Sequence, residues 1–526
     1  MSPHGNAAWY FLHRHLAEGH GGRLAFQDPH RRLTYAELAA AATRFAAALL
    51  AAGIGRERRI ALVLLDTVDF PIAFWGALAA GVVPVPVNTL LTPEQTTYVL
   101  ADSRAEALVV STPLAAPLRP LLAQMPALRQ VILAAPDGSP AAPAAAGEIG
   151  WDDFLAIGTD AGIQSREPVA VSPDEVAFWL YSSGSTGLPK GARHVHSSLR
   201  ATADTYGAQV LGIEPDDTVF SAAKLFFAYG LGNAMTFPMA VGASAVLLPD
   251  RPTPEAVLAT LSHFQPSIFA GVPTLYAGLL AHPSIGPGAG SSRLRRCISA
   301  GEALPEPVGR RWDAAVGVEI LDGLGSTEML HIFISNIPGA VRYGTTGRPV
   351  PGYEARIVDP DGADVPDGTA GELIVCGPSA AEGYWNQRDK SRRTFRGEWT
   401  HTGDTYIREP DGSYRYQGRA DDMLKVGGIW VSPFEVEAAL LAHPAVQEAA
   451  VVGQQDADGL TKPKAFLVLR DAFTGTPADV LREELKAEVQ HRIGVWKYPR
   501  WIEIVASLPK TATGKIQRYK LRGDTA

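Results

Sequence analysis

Cysteine is nearly absent from this chain: Cys297 and Cys376 are the two in 526 residues, and neither sits in a Cys-x-x-Cys pair or beside a histidine cluster. That argues against a disulfide scaffold and a thiolate zinc site, and suits a reducing cytoplasm. Positive excess is also missing. Lys plus Arg number 47 against 55 Asp plus Glu, a formal charge of −8, so a protein that grips a nucleic-acid backbone is not expected. No uninterrupted membrane-spanning run stands out. Phe70 to Val87 is uncharged and about long enough, but Pro71, Gly76, Gly81, Pro84 and Pro86 make it read as helix, turn and strand. The opening stretch lacks the apolar core and small-residue cleavage site of a secretory signal. The expectation is a cytoplasmic protein with no membrane and no nucleic-acid partner. Charged residues make up 19% and hydrophobic ones 46%, which is globular material. The length calls for two to four domains or one large two-lobed enzyme.

What is present is an α/β rhythm. Thr34-x-x-Glu37 reads as a capping box opening a helix with apolar positions at Leu38, Phe45 and Leu49, closed by Gly53. Ile60 to Leu65 reads as a buried strand, Ile72 to Ala80 as a helix and Val82 to Val87 as a strand, which together make a parallel crossover unit. Ala107 to Val110, Gln130 to Leu133 and Ala245 to Leu248 continue the rhythm, while Ala134 to Gly147 is a Pro/Ala/Gly-rich loop. After about residue 340 the runs shorten, as in Glu354 to Val358 and Glu372 to Val375, with Asp361-Gly362 and Asp367-Gly368 as turns. Beyond Arg419 lies a tail with its own alternation: helices at Phe434 to Leu441 and Asp479 to His491, strands at Val446 to Val452 and Ala465 to Leu469. The expected division is 1–420 for a large domain and 421–526 for a small one.

The strongest local signal is Tyr181-Ser-Ser-Gly-Ser-Thr-Gly-Leu-Pro-Lys190-Gly191, following the apolar run Val176 to Leu180. Small hydroxyl and glycine residues let backbone N–H groups crowd around a polyanion, and Lys190 adds charge. The spacing does not match a Walker loop, because the lysine follows Leu-Pro rather than glycine.

This segment resembles the phosphate-binding signature of the adenylate-forming enzymes: acyl- and aryl-CoA synthetases, luciferases and peptide-synthetase adenylation domains. Four further segments resemble that superfamily in order and spacing: Leu324-Gly-Ser-Thr-Glu328, Trp399-Thr-His-Thr-Gly-Asp404, Gly418-Arg-Ala-Asp-Asp422 and Pro509-Lys-Thr-Ala-Thr-Gly-Lys515. The resemblance covers essentially the whole chain. It implies an α/β fold: a large N-terminal domain of mixed parallel sheets flanked by helices, a β-rich subdomain, and a small mobile α+β C-terminal domain.

The resemblance also implies roles. Ser182, Ser183, Gly184, Ser185, Thr186 and Lys190 would hold the phosphates of ATP, and Gly301, Glu302 and Ala303 would flank the adenine, with Asp322 and Gly323 on its other face. Asp404 would bind the ribose hydroxyls with Arg419. Thr327 would lie beside the reacting groups. Glu328 would take Mg2+ with Thr186, although an acid at a helix N-terminus is its plainer reading. Lys515 would be the catalytic lysine, because a mobile ammonium can reach both a carboxylate and the α-phosphate. Asp421 would be the hinge. Lys425 would face the site in the thioester-forming state, together with the coenzyme A-side loop Gly427-Gly428.

Ala222 to Asn233, Ala270 to Tyr276, Ser326 to Ser335 and Arg342 to Val350 closely resemble benzoate-CoA ligases and 4-hydroxybenzoate-CoA ligases. Phe227 stands where many acyl-CoA synthetases carry histidine, which keeps the bulk and removes the proton donor. Phe227, Ala228, Tyr229, Gly325, Leu330, His331 and Ile332 are the expected walls of a slot for a flat aromatic acid. His331 could read a ring substituent or pair with backbone. His194 and His196 lack a third ligand nearby and are read as structural, so no metal beyond Mg2+ is expected. The expected reaction joins a benzoate-type acid to coenzyme A with ATP, through an aryl-adenylate, in a monomer or homodimer. The alternatives are an adenylation enzyme loading a separate carrier protein, and a non-catalytic nucleotide sensor.

Overall fold

The computed structural model describes residues 3–143, 145–160, 167–182, 189–419, 423–426, 429–456, 460–473, 475, 477–494, 497–510 and 516–522. The capping box at Thr34 forms: its Oγ1 accepts the Glu37 N–H at 3.3 Å, and Glu37 Oε2 takes the Thr34 N–H at 2.8 Å. It starts the helix Tyr35–Ala51, which buries Leu38, Phe45 and Leu49. That face lies against the helix Asp69–Ala79, where a Cβ on Gly76 would come within 2.7 Å of the Ala42 carbonyl oxygen. The uncharged run from Phe70 to Val87 thus becomes this helix, a turn and the strand Val83–Pro86. Among the described residues, no helix is long and apolar enough to cross a membrane.

The parallel rhythm resolves into two sheets rather than one. Strands Val83–Pro86, Arg59–Val63, Ala107–Ser111, Gln130–Ala134 and Glu148–Gly150 form a five-stranded parallel sheet in that spatial order. Ser244–Val246 belongs to a nine-stranded sheet. Its middle is parallel from Ile320–Gly325 through Arg296–Ser299, Ile268–Gly271, Thr218–Ser221 and Ser244–Val246 to Leu24–Gln27. Antiparallel strands close both edges: Ile332–Ser335 and Arg348–Pro349 at one, Arg32–Thr34 at the other. The parallel strands of both sheets are continuous buried apolar runs, covered on both faces, so local sequence cannot say which sheet such a strand joins.

Between the two sheets in the chain stands the hairpin Val176–Ser182 and Lys190–Val195. An antiparallel sheet follows, with Glu354–Val358, Ala370–Cys376, Trp399–Arg408, Phe395–Arg396 and, on Trp399–Arg408, Tyr414–Arg419. The C-terminal domain has strands Val446–Gln455, Thr461–Leu469 and Trp501–Ile504, with helices Pro433–Leu441 and Ala478–Ile493. Its aliphatic core, from Leu424 and Val431 through Val451 and Leu467 to Ile502, shares no side chain with the larger cores.

Candidate active site

The hairpin sets the ends of the loop expected to hold phosphate. Ser182 pairs with Lys190 across the two strands, so the glycine-rich connection leaves from one fixed point and returns beside it. Residues 183–188, which include Ser183, Gly184, Ser185 and Thr186, lie outside the described residues. Gly191 is required by packing: a Cβ there would meet the Tyr181 ring at 2.9 Å. Tyr181 donates its hydroxyl to Asp102 Oδ2 at 2.6 Å, which anchors the hairpin to the first sheet's helical layer.

Lys190 points at Glu328, with Nζ 3.0 Å from Oε1. Tyr384 joins them, its hydroxyl 2.6 Å from Lys190 Nζ and donating to Glu328 Oε1 at 2.6 Å. Burial raises the Glu328 carboxyl, but the Lys190 charge and the hydrogen bonds from Tyr384 and Lys190 outweigh it and hold the group below the usual carboxylate range. Burial and the Glu328 charge push the Tyr384 phenol up, so it stays a donor. Glu328 sits in a turn, not at a helix N-terminus, and its side chain is 15% exposed. An ionised carboxylate at this rim is the hard oxygen donor that Mg2+ takes alongside phosphate oxygens, so the residue fits that ion.

Tyr384 was not anticipated. Its available signal was Gly383-Tyr384-Trp385, a glycine ahead of two aromatics. Gly383 has φ +128°, which favours glycine, and the segment docks on the hairpin through a single antiparallel bridge between Tyr384 and Ala192. The Glu382 N–H goes to the Arg193 carbonyl, and the Trp385 N–H to that of Gly191. A second unanticipated residue is Asp66, buried under the loop that carries Phe227, where it accepts the Leu225 N–H at 3.2 Å. Burial lifts its carboxyl to about 6, against the opposing pull of Lys224 and the Leu225 N–H.

Among the residues expected to face the nucleotide, Asp404 and Arg419 are cross-strand partners, with Oδ1 3.2 Å from Nη1. Gly301 has φ +92° at the end of the strand Arg296–Ser299. Asp322 is buried, its Oδ1 has no hydrogen-bond partner among the described residues, and burial keeps its carboxyl far above the usual range. The adjacent Gly323 lies against the Ile332 side chain, which a Cβ would meet at 2.9 Å. Glu302 receives the Ile516 N–H on Oε1 at 2.8 Å, a direct contact between the residue that follows the tail motif and the large domain. Lys515 itself lies outside the described residues, as do Asp421, Gly427 and Gly428. Of Lys425 only the backbone is described, paired with Trp430.

Among the residues expected to wall the aryl slot, the short helix Ala228–Leu231 begins at half-buried Phe227. Gly230 lets it lie on the preceding loop, since a Cβ there would fall 2.1 Å from the Lys224 carbonyl oxygen. Tyr229 donates its hydroxyl to the Gly271 carbonyl at 3.1 Å. His331 is 3% exposed and gives Nε2–H to the Tyr229 carbonyl at 3.2 Å, with Phe237 and Tyr206 rings at 4.5 and 5.3 Å. Burial lowers the imidazole to about 3, so it is neutral. Gly325 pairs with Ile332, and a Cβ on it would strike the His331 carbonyl at 2.6 Å. Leu330 is buried with φ +64°, a strained conformation for a branched side chain that turns the backbone between Glu328 and His331. Thr327 offers its carbonyl to His194 Nε2 at 2.8 Å.

His194 is stacked on Phe178, and His196 accepts the Ala7 N–H on Nδ1; burial lowers both to about 4. Both are packed and hydrogen-bonded into the fold.

The model of the AMP-binding enzyme family matches residues 13–385, and that of the AMP-binding enzyme C-terminal domain matches residues 435–515. The chain is a member of the AMP-binding enzyme family. Within this family it is 53% identical to a benzoate–CoA ligase of Thauera aromatica over 519 residues, covering 98% of this chain and 95% of that one. It is 52% identical to a 4-hydroxybenzoate–CoA/benzoate–CoA ligase of Rhodopseudomonas palustris, covering 98% and 94%. The crystal structure of a benzoate CoA ligase from Burkholderia xenovorans superposes with a TM-score of 0.89 at 50% identity, covering 98% of this chain and 99% of that one. Both the adenylate-forming fold and the family expected from the motifs are therefore borne out.

Proposed function

We propose that this chain is an ATP-dependent aryl-CoA ligase acting on a benzoate-type acid, most closely benzoate or a hydroxybenzoate. The observation that carries this reading is one segment of eight residues, Gly325 to Ile332. It supplies an ionised carboxylate at the phosphate hairpin, Glu328, and a neutral apolar wall at its other end, His331 and Ile332. A site with that layout places a flat acid's carboxylate beside a triphosphate. The full-length similarity to benzoate–CoA ligases supports the same assignment.

In the first half-reaction a carboxylate oxygen attacks the α-phosphorus in line, pyrophosphate leaves, and an aryl-adenylate forms. Two anions must approach each other, so the barrier is largely electrostatic. Lys190 and the phosphate loop from Ser182 to Thr186 bind the triphosphate. Glu328, with Thr186, would hold Mg2+, which neutralises phosphate charge when bound. Asp404 and Arg419 take the ribose, and Gly301, Glu302, Ala303, Asp322 and Gly323 frame the adenine. Lys515 follows the charge from carboxylate to α-phosphate, and the Ile516–Glu302 contact favours a tail motif held on the nucleotide side in this arrangement. In the second half-reaction the coenzyme A thiol gives up its proton to solvent, its sulfur adds to the acyl carbon, and AMP leaves with both electrons of the acyl C–O bond. Rotation about Asp421 would bring Lys425 and the Gly427-Gly428 loop to the site for that step. Phe227, Ala228, Tyr229, Gly325, Leu330, His331 and Ile332 would shape the aryl slot. A cytoplasmic monomer or homodimer completes the reading.

The test is pyrophosphate release from Mg-ATP with benzoate, hydroxybenzoates, aminobenzoates, cinnamate and a medium-chain fatty acid, with and without coenzyme A. Turnover confined to benzoates and accelerated by coenzyme A is expected. Preference for cinnamate or the fatty acid would overturn the substrate class. Lys515→Ala should slow release by about a thousandfold while retaining ATP binding; wild-type release from that variant would sink the role of the lysine.

A further inference from the structure

The helix Arg14–Ala17 ends in a left-handed turn at Gly19, which has φ +79°. The Gly19 N–H reaches the Leu16 carbonyl at 3.1 Å, and the His20 N–H reaches back to the His15 carbonyl at 2.7 Å. This pair of bonds is a Schellman cap, whose geometry folds the residue after the turn back over the last helical turn. The two positions that it brings together usually carry apolar side chains. Here they are His15 and His20, and the residue between the helix and Gly19 is Glu18.

Three ligand-capable side chains therefore converge. One ligand atom from each of His15, Glu18 and His20 lies within 4.8 Å of the others, the one such group among the described residues. His20 Nδ1 is already 3.6 Å from Glu18 Oε2. A second observation is independent of the cluster. His15 is 2% exposed, its Nε2 donates to the Met239 carbonyl at 2.5 Å, and its Nδ1 is buried without a protein partner. A buried acceptor left unpaired costs about 1–3 kcal/mol. One nitrogen tied to a backbone carbonyl fixes the tautomer that leaves the other nitrogen's lone pair available, the arrangement that metal-binding histidines use.

We propose that His15 Nδ1, a Glu18 carboxylate oxygen and a His20 ring nitrogen bind one divalent transition-metal ion of the zinc class, with solvent as a further ligand. Two imidazoles and a carboxylate suit Zn2+ or Co2+ and not Mg2+. Ligand atoms around a tetrahedral zinc stand about 3.3 Å apart, given bonds of roughly 2.0–2.1 Å. His15 is held in place, so exposed Glu18 and half-buried His20 close the remaining distance by rotating. Arg14, 3.9 Å from Glu18, competes for the carboxylate. The ion would staple the N-terminal segment, through His15 and Met239, to the helix Phe237–Val241. This site is separate from the nucleotide and aryl pocket, and its test does not depend on the proposed reaction.

The experiment uses the full chain stripped with a chelator and titrated with Co2+, read by visible absorption, then with Zn2+ in competition and by thermal unfolding. One equivalent of Co2+ is expected, with d–d bands of low coordination number, displacement by Zn2+, and a higher Tm with Zn2+. His20→Ala and Glu18→Gln are surface changes that leave folding intact, and each should weaken binding at least tenfold and abolish the Tm gain. Wild-type affinity in both variants, or no uptake by the native chain at excess metal, would overturn the proposal.

Discussion

Glu328 and His331 stand three positions apart in the same buried segment, yet the protein holds one charged and the other neutral. Glu328 has Lys190 at 3.0 Å and the Tyr384 hydroxyl at 2.6 Å, and these lower its carboxyl despite burial. His331 has aromatic rings on several sides and one backbone carbonyl, so burial prevails and the imidazole falls to about 3. Desolvation acts on both. What differs is whether a counter-charge is present to offset it. The strained turn at Leu330 carries the chain from the first environment to the second.

That contrast can be broken from either end. The largest effect is expected from Glu328→Gln, which removes the charge and leaves Lys190 and Tyr384 only a neutral amide oxygen to donate to. Pyrophosphate release should fall about a hundredfold, typical of losing one preorganised electrostatic contact, while the variant keeps the aryl-acid affinity of the wild type. On the aryl face, Gly232→Ala places a Cβ 2.3 Å from His331 Cδ2. Overpacking of this kind costs about 2 kcal/mol, to be read as a lower denaturation midpoint and a raised KM for the acid with ATP binding unchanged.

Tyr384→Phe sharpens the polar side by removing one hydrogen bond to a charged group, about 1.5 kcal/mol or roughly tenfold in rate. The Glu328 carboxyl then moves up toward its ordinary value, so the acid limb of kcat/KM shifts to higher pH; an unmoved limb would exclude Glu328 as its source. The neutral side has its own signature. His331 has a folded value of about 3, below that of a free imidazole. The unfolded chain therefore binds more protons between about pH 3 and 6.5, and stability is full above that window and lost as pH falls through it. The slope is about 1.4 kcal/mol per pH unit for one group. His331→Asn should flatten the acid side of the stability curve by that amount, measured by denaturant unfolding between pH 4.5 and 7 as an order-of-magnitude effect.

Much of the molecule was legible because its signals are local. A capping box is four residues long, and Thr34 and Glu37 formed it as read. The helices at 35–51, 433–441 and 478–493 follow hydrophobic periodicity, and the motifs at 181–191, 324–328 and 399–404 lie in contiguous stretches that led to the correct family. Tyr384 and Asp66 were not legible. Each acts on a residue far away in sequence, Tyr384 on Glu328 and Asp66 on Leu225, and neither lies in a stretch whose residue types alone declare a role.

Residue types and their short-range spacing determined the secondary structure, the family and the set of groups available for chemistry, because helices, turns and phosphate loops are built from contacts within a few positions. Tertiary structure alone decided which groups are charged. A carboxylate or an imidazole takes its protonation state from burial and from charges brought within a few ångströms, and those neighbours come from strands and loops more than fifty residues away. The Schellman turn at Gly19 is the intermediate case. The sequence His-Leu-Ala-Glu-Gly-His is local, yet only the fold buries His15 against Met239 and leaves one nitrogen waiting for a partner.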